Sequence, residues 1–391
     1  FSIIKSLYDN SMSCVKFKGE FSDIFSVEKG VLQGEPLSPI LFSIFLNDFE
    51  NEFINSLCLP VDIKELSLFL LMYADDTVIF SETIDGLQNM LNSLHNYCKK
   101  WKLIVNTSKT KVVVFRNGGK LRSDEKWFYN GEIIEVADHY LYLGVMLYYN
   151  AKFNQTQLNI AAKGRKCLSM LYGKIKHMCL NVQTKLYLFD VYVSPVLLYG
   201  SEIWGFHNAS DIEKLHIEFC KNILTVKKST ATAMVYSELG RFPLLISRKV
   251  KILKYWIRLL RTRNCILNAI YNDMYDECES GNKSSGVNNV KCMLLSLGFG
   301  HVWYAQNVVC EEAFIILFKQ RLIDHFLQER NMFFDSSSKC TIYKHLVDNV
   351  QLQFYLTKNL SPQCIRFLTK YRLCSHKLNI EYGRFIKKSK K

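Results

Sequence analysis

The chain has 391 residues, too many for one compact core at roughly 150 residues per domain, so two or three folded units are expected. With 49% apolar and 22% charged residues it has the material for packed cores, which excludes wholesale disorder. The 50 Lys+Arg against 36 Asp+Glu leave a formal net charge of +14, a balance that suits a polyanionic partner, nucleic acid ahead of a membrane surface.

In chain order, FSIIKSLYDNS reads as the end of an amphipathic helix, with Ile3, Ile4 and Leu7 at helical spacing and Asn10 and Ser11 as a stop. SCVKFKG and FSDIFSVEKG alternate roughly and meet at Gly19-Glu20, which predicts a hairpin. GVLQGEPLSP, residues 30–39, is a glycine- and proline-punctuated loop. It leads into a helix expected from Pro39 to about Leu57, with Ser38 as N-cap and Leu41, Ile44, Phe45, Phe49 and Phe53 on a buried face.

Beyond Pro60, LSLFLLMYADDTVIFSET reads as two apolar strands flanking Asp75-Asp76. A helix from Asp85 to Lys100 follows, carrying Leu87, Met90, Leu91, Leu94 and Tyr97 at 3-4 spacing. WKLIVNTSKTKVVVFRNGG is strand-like at Leu103–Val105 and Val112–Phe115, and WFYNGEIIEV and HYLYLGVML read as two further short strands. From about residue 153 helices rich in Lys, Leu and Tyr take over. ESGNKSSGVNN, residues 279–289, is the expected linker, and the chain closes on the basic run KKSKK. The fold class is therefore α/β, of the α+β kind, with units expected at 1–150, 151–228 and 229–391.

The charge is split along the chain: residues 1–150 carry 14 Lys+Arg and 19 Asp+Glu, a net of −5, which leaves +19 for 151–391. An acidic part that must meet a polyanion does so through metal ions, whereas a basic part neutralises phosphates directly. The 13 cysteines run from Cys14 to Cys374 with no CxxC pair and no visible secretory signal, so buried free thiols in a reducing, intracellular compartment, nucleus or cytoplasm, are expected. The longest apolar run, Leu68 to Ala74, falls short of the ~18 residues that span a bilayer, so no membrane contact is expected. The first residue is Phe1 rather than Met, which suggests a fragment.

The sharpest chemical feature is Tyr73-Ala74-Asp75-Asp76. Two adjacent carboxylates beside apolar surface repel each other, and a divalent cation lets both stay ionised; equally, Asp is a good hairpin-turn residue. Gln33-Gly34 lies 42 positions before Asp75, counted from Gln33, a span that accommodates a helix, a return strand and the acidic turn. An ordinary loop before a helix reads the same way.

Here the sequence resembles a family, the reverse transcriptases of non-LTR (LINE-type) retrotransposons. QGEPLSPILF is similar to the family's fingers-palm motif and YADD to its catalytic hairpin. WKLIVNTSKTK is similar to the helix-loop-strand that follows, and YLGV at 142–145 to its primer grip. The resemblance implies a partial right-hand polymerase: palm and fingers with an antiparallel sheet, then a mainly helical thumb and C-terminal extension. It implies RNA-directed DNA polymerisation by two-metal nucleotidyl transfer onto a DNA primer 3′-hydroxyl, with RNA template, primer or target DNA and deoxynucleoside triphosphates as partners.

Residue by residue, Asp75 with Asp76 as companion would hold two Mg²⁺ ions, Mn²⁺ being the alternative metal. Gln33 and Gly34 would lie against the nascent base pair and template, and Tyr73 beneath the primer end. Lys109, with Lys111 as competitor, would protonate the leaving pyrophosphate, a solvated strand-end lysine being the plain reading of either. Leu143 and Gly144 would grip the primer, where an ordinary core strand is the local alternative. Lys163, Arg165, Lys166, Lys174 and Lys176 on one helix, with Tyr172 among them, suit phosphate contact with occasional stacking.

Departures from the pattern matter as well. The family's third catalytic carboxylate is expected before Phe1, since neither Asp9 nor Asp23 sits in the required apolar strand, and two carboxylates alone would hold metal weakly. YLFDVYVSPVLLYGSEIWG at 187–205 resembles the thumb, and ELGRFPL at 238–244 and RLCSHKLNIEYGRF at 372–385 resemble the stretch leading to a zinc-knuckle-like cluster. Cys374 and His376 have no second pair near them in sequence, so no zinc is expected. A non-catalytic RNA- or DNA-binding remnant is the rival expectation, and an RNA-dependent RNA polymerase a weaker third. Oligomeric state is not legible.

Overall fold

The computed structural model describes residues 2–376 except 10, 28, 29, 33, 207, 282–285 and 359. Gln33, the middle of the expected linker and the KKSKK run lie outside the described residues. The chain divides into two compact units, one of residues 1–112 and 120–136, the other of 113–119 and 137–391.

The first unit is mixed α/β. Helix α1 (Ser2–Tyr8) leads into a hairpin of four very short strands, β1 (Met12–Ser13), β2 (Lys16–Phe17), β3 (Glu20–Phe21) and β4 (Phe25–Ser26). Its tip is Lys18-Gly19, both at positive φ, one residue earlier than the sequence suggests.

The expected single helix from Pro39 is two: α2 (Ser38–Phe45) and α3 (Phe49–Asn55). Ser38 is not the cap, which falls at Leu37; its hydroxyl instead donates to the Leu32 carbonyl inside the loop. The break at 46–48 has a tertiary cause. Asp48 makes no cap bond to α3, because its carboxylate accepts a 2.6 Å hydrogen bond from the hydroxyl of Tyr97 on α4 (Ile84–Trp101). The break redirects the apolar face. Leu46, Phe49 and Phe53 are buried, but Ile44 and Phe45, expected inside, are exposed.

Between these helices and α4 run β5 (Val61–Ile63), β6 (Leu66–Leu68), β7 (Leu70–Tyr73) and β8 (Asp76–Ile79), paired as two antiparallel hairpins. The core of the unit stacks Phe49 on Tyr97 (4.6 Å between ring centres) and Phe53 on Phe69 (6.1 Å), with Leu70 and Met90 buried beside them. Helix α4 is capped by Thr83, whose hydroxyl accepts from the Gly86 amide at 3.1 Å.

The expected strand at Leu103–Val105 does not form, because the Leu103 amide closes the end of α4 on the Cys98 carbonyl. Of Val112–Phe115 only Val112 is in a strand, β9 (Lys111–Val112), which runs parallel to β11 (Glu132–Val136). WFYNGEIIEV is not one strand but the hairpin β10 (Trp127–Tyr129) and β11, turned at Asn130-Gly131 with φ of 51° and 80°. Each sheet is small. Among the described residues the antiparallel pairs do not merge into one continuous sheet, strands of two to five residues offering little edge to extend.

The second unit opens on the hairpin β12 (His139–Tyr142) and β13 (Val145–Tyr148), again two strands where the sequence suggests one, and is otherwise helical. Helices α5 (Asn154–Ile175), α6 (Val182–Tyr192), α7 (Ser194–Leu197), α8 (Ser201–Trp204), α9 (Ser210–Leu224) and α10 (Thr232–Leu239) build one core. There Gly164 passes so close to Leu197 that an added Cβ would lie 2.3 Å from its Cδ2.

A second core is built by α11 (Leu244–Leu260), α12 (Cys265–Glu279), α13 (Gly286–Ser296), α14 (Gly300–Ala305) and α15 (Glu311–Ser336), around Trp256, Leu294, Trp303 and Phe318. The chain then returns: Phe334, Tyr343, Leu356 and Leu373 join the first core, and α16 (Pro362–Arg372) ends the described helices. All 13 cysteines are free, yet only Cys58, Cys98, Cys220, Cys278 and Cys340 are buried. Among the described residues no helix is long and apolar enough to cross a membrane.

Candidate active site

The acidic turn sits at the tip of the β7–β8 hairpin. Tyr73 pairs with Asp76 across the strands, so Ala74 and Asp75 are the two turn residues. Ala74 adopts φ 53°, a left-handed conformation that costs an L-residue roughly 1–2 kcal/mol. Asp75 and Asp76 are both exposed, and neither carboxylate has a hydrogen bond or ion pair among the described residues. The hairpin's inner end is anchored by buried Phe69 and Leu70, so the carboxylates stand at the free end of a fixed support.

Beside the tip lies an open cleft of about 470 Å³. Pro39, Ile40, Ser43, Ile44 and Asn47 of the α2 segment form one wall, Met72, Tyr73 and Ala74 the other. The folded chain thus brings the helix after the GEPLSP loop against the YADD turn. Ile44 is 65% exposed and Tyr73 65%, so apolar surface is left open next to the carboxylate pair.

The loop ahead of α2 is closed by Ser38 on Leu32 and held at its middle by the Tyr8 hydroxyl donating to the Glu35 carboxylate. Gly34 takes φ 87°, and a Cβ there would meet nothing of the chain within 4 Å. Its conformation, not internal crowding, calls for glycine.

Lys109 and Lys111 have different surroundings. Asn106 folds the 107–109 turn, its Oδ1 accepting from the Ser108 hydroxyl (2.7 Å) and the Lys109 amide (3.2 Å). The Lys109 side chain is exposed with no ion pair among the described residues, whereas Lys111 is bound to Glu135 at 2.8 Å.

In the second unit, Leu143 and Gly144 form the β12–β13 turn, with φ of 45° and 82°. This turn is locked. The Tyr199 hydroxyl donates to the Leu143 carbonyl at 2.7 Å, and a Cβ on Gly144 would lie 2.9 Å from the Tyr199 ring. Reciprocally, a Cβ on Gly200 would lie 2.9 Å from Val145 Cγ2. Lys163, Arg165, Lys166, Lys174 and Lys176 are all exposed along and just beyond α5, with Arg165 paired to Glu218 at 3.2 Å.

Two features escaped the sequence reading. Tyr199 is one, though it sits in the YGSEIWG stretch that the reading singled out. The other is Glu238, fully buried, whose carboxylate accepts from the Tyr343 hydroxyl (2.7 Å), the Tyr355 hydroxyl (2.7 Å) and Arg372 Nε (2.7 Å). Those partners lie more than 100 residues on, so the one local signal is a lone acid in the apolar helix TAMVYSEL. Burial and the facing Glu238 push the hydroxyl pKa values of Tyr343 and Tyr355 up. His216, in the same core, is lowered to about 3 by burial and by Arg241, which keeps it neutral.

Among the described residues no three His, Cys, Asp or Glu side chains gather as a ligand set. Two adjacent exposed carboxylates nevertheless fit Mg²⁺, which keeps several waters and is typically held by one or two carboxylates plus substrate phosphates.

Residues 1–147 match the family described as reverse transcriptase (RNA-dependent DNA polymerase). The chain is 27% identical over 227 residues to the RNA-directed DNA polymerase from mobile element jockey of Drosophila funebris, covering 56% of this chain and 24% of that protein. It is 22% identical over 293 residues to a Drosophila melanogaster protein named as a probable RNA-directed DNA polymerase from transposon X-element, covering 69% of this chain and 30% of that one. Over 155 residues it is 27% identical to the Pol polyprotein from retrotransposable element R2 of Bradysia coprophila, covering 37% and 17%. The chain spans about a quarter of the length of the jockey relatives. Residues 1–147 are therefore similar to reverse-transcriptase domains, including those of LINE-like mobile elements.

Proposed function

We propose that the chain is part of an RNA-directed DNA polymerase of a non-LTR retrotransposon, which adds deoxynucleotides to a DNA primer 3′-hydroxyl on an RNA template. The observation that carries this is the unpartnered Asp75-Asp76 pair on the anchored hairpin, beside the cleft walled by α2, within the segment that matches the family. In this reading the first unit is palm and partial fingers, and the helices from α5 onward are thumb and C-terminal extension.

Asp75 and Asp76 would hold a divalent cation, Mg²⁺ by the hardness of their oxygens. When bound, it supplies charge neutralisation at the triphosphate and a more acidic primer hydroxyl. The chain's own residues do the rest. Gly34 leaves room for a base pair at the loop, and Tyr73, largely open to solvent, supports the primer end. Lys109, the unpaired member of the two lysines, donates the proton to the leaving pyrophosphate, since Lys111 is engaged by Glu135. The Leu143-Gly144 turn holds the primer strand, and Lys163, Arg165, Lys166, Lys174 and Lys176 take backbone phosphates.

The test is extension of a labelled DNA primer on an RNA template with Mg²⁺, run with the chain and with a version extended upstream along its own coding sequence. Incorporation that Asp75→Ala reduces at least about 10³-fold supports the reading. Incorporation that survives this change defeats it. A second reading, nucleic-acid binding without catalysis, is favoured by one observation: no third carboxylate joins the pair among the described residues. It predicts binding with a steep salt dependence and no incorporation in either version.

A further inference from the structure

Between Asp348 and His376 the chain has no Asp or Glu, but it has Lys358, Arg366, Lys370 and Arg372. Arg372 is turned inward onto Glu238. The other three are in no ion pair among the described residues, and Lys358 Nζ lies 4.1 Å from the centre of the Phe354 ring. Within the same stretch Phe354 is 70% exposed, Phe367 74% and Tyr371 58%.

These residues are arranged in stripes. On α16, Arg366 and Lys370 are four apart, and so are Phe367 and Tyr371, so a cationic row and an aromatic row run side by side on the outer face. The inner face carries Thr369, which is buried and shares a 2.8 Å hydrogen bond with the Tyr355 hydroxyl. That bond holds the short 3₁₀ turn of residues 354–356, with Phe354 on its outside, against α16. Glu238 fixes both pieces from behind, through Tyr355 and Arg372. Exposed aromatic rings on a rigid mount cost little entropy to use.

We propose that this surface is a second nucleic-acid site, separate from the polymerase cleft, which binds single-stranded RNA or DNA by stacking bases on Phe354, Phe367 and Tyr371 while Lys358, Arg366 and Lys370 contact phosphates. Single strands rather than duplex are the fitting ligand, because only unpaired bases offer their faces to the rings. The absence of acidic side chains along the stretch suits a polyanion.

The test uses the full chain and fluorescent oligonucleotides of about 15 nucleotides, uridine RNA and thymidine DNA, with a duplex of the same length. Replacing Phe354, Phe367 and Tyr371 by Ala should weaken single-strand binding at least about tenfold and leave duplex binding within about twofold. Replacing Lys358, Arg366 and Lys370 by Gln should reduce the slope of log affinity against log salt by about 2 for single strands. The RNA and DNA arms show which strand the site prefers. Thermal melts should coincide with the parent, and if the triple aromatic variant melts early, Phe367→Ala alone decides. Single-strand affinity unchanged by the aromatic replacements, or single-strand and duplex affinity falling equally, would overturn the proposal.

Discussion

Glu238 and the Asp75-Asp76 pair are opposite solutions to placing a carboxylate. Glu238 is wholly buried, and its two oxygens are met by two tyrosine hydroxyls and an arginine, so its charge is used up inside the protein. Asp75 and Asp76 stand exposed on a hairpin tip with no partner among the described residues. A saturated carboxylate organises structure, and an unsaturated pair on a rigid mount is available for an external cation. The difference separates the acid that holds the helical unit together from the acids that would do chemistry.

Four measurements would separate the two kinds of carboxylate and their surroundings. The largest effect concerns the exposed pair: Asp75→Asn with Asp76→Asn should abolish nucleotide incorporation by the upstream-extended chain, at least about 10³-fold, while differential scanning calorimetry shows a melting temperature within about 1 °C of the parent. A large fall in melting temperature would mean that the pair is structural after all. Glu238→Ala should do the reverse in kind, destabilising the second unit by about 3–5 kcal/mol in urea titrations, because it leaves the half-buried Arg372 guanidinium without its carboxylate while the Tyr343 and Tyr355 hydroxyls keep the Met234 carbonyl and Thr369.

The third prediction concerns pH. His216 is held neutral in the fold, its pKa lowered from the ordinary 6.5 to about 3, so the unfolded chain takes up a proton that the folded one refuses. Its contribution is complete above pH 6.5 and is lost as pH falls toward 3, at up to about 1.4 kcal/mol per pH unit. Urea midpoints at several pH values should therefore slope less for His216→Phe, which keeps the stacking on Phe189 and Tyr236. An unchanged slope would remove His216 as the cause. The smallest effect is Tyr199→Phe. Losing the hydroxyl to the Leu143 carbonyl should cost about 1 kcal/mol, read as a drop in unfolding free energy with no change in Mg²⁺ dependence.

What could be read from the sequence was local. The acidic hairpin and α4 follow from alternation and 3-4 spacing within a few residues of each other, whereas WFYNGEIIEV, read as one strand, turns at Asn130-Gly131, a local Asn-Gly signal that the apolar pattern masked. The break between α2 and α3 was not legible, because it depends on Tyr97 reaching Asp48 from 49 residues away. The same break leaves Ile44 facing the cleft, so a wall of the candidate site came from a contact that periodicity cannot show. HYLYLGVML reads as a strand until Leu143 is seen in the left-handed region, where Tyr199 holds it from 56 residues on. The Glu238 cluster was invisible for the same reason, at separations of 105 to 134 residues.

The return of the chain into the first helical core bears on how the protein is made. Phe189, Phe219 and Met234 share that core with Tyr343, Leu356 and Leu373, and Gly240 is so tight against Leu352 that an added Cβ would lie 2.5 Å from its amide nitrogen. During synthesis the helices up to α10 emerge well before the segment that seals them, while the second core, built from residues 246–322, is complete in between. The nascent chain must therefore keep a partly open apolar surface for the time needed to translate about a hundred further residues, several seconds at typical elongation rates. That interval, rather than the finished fold, is when the chain exposes the most apolar surface.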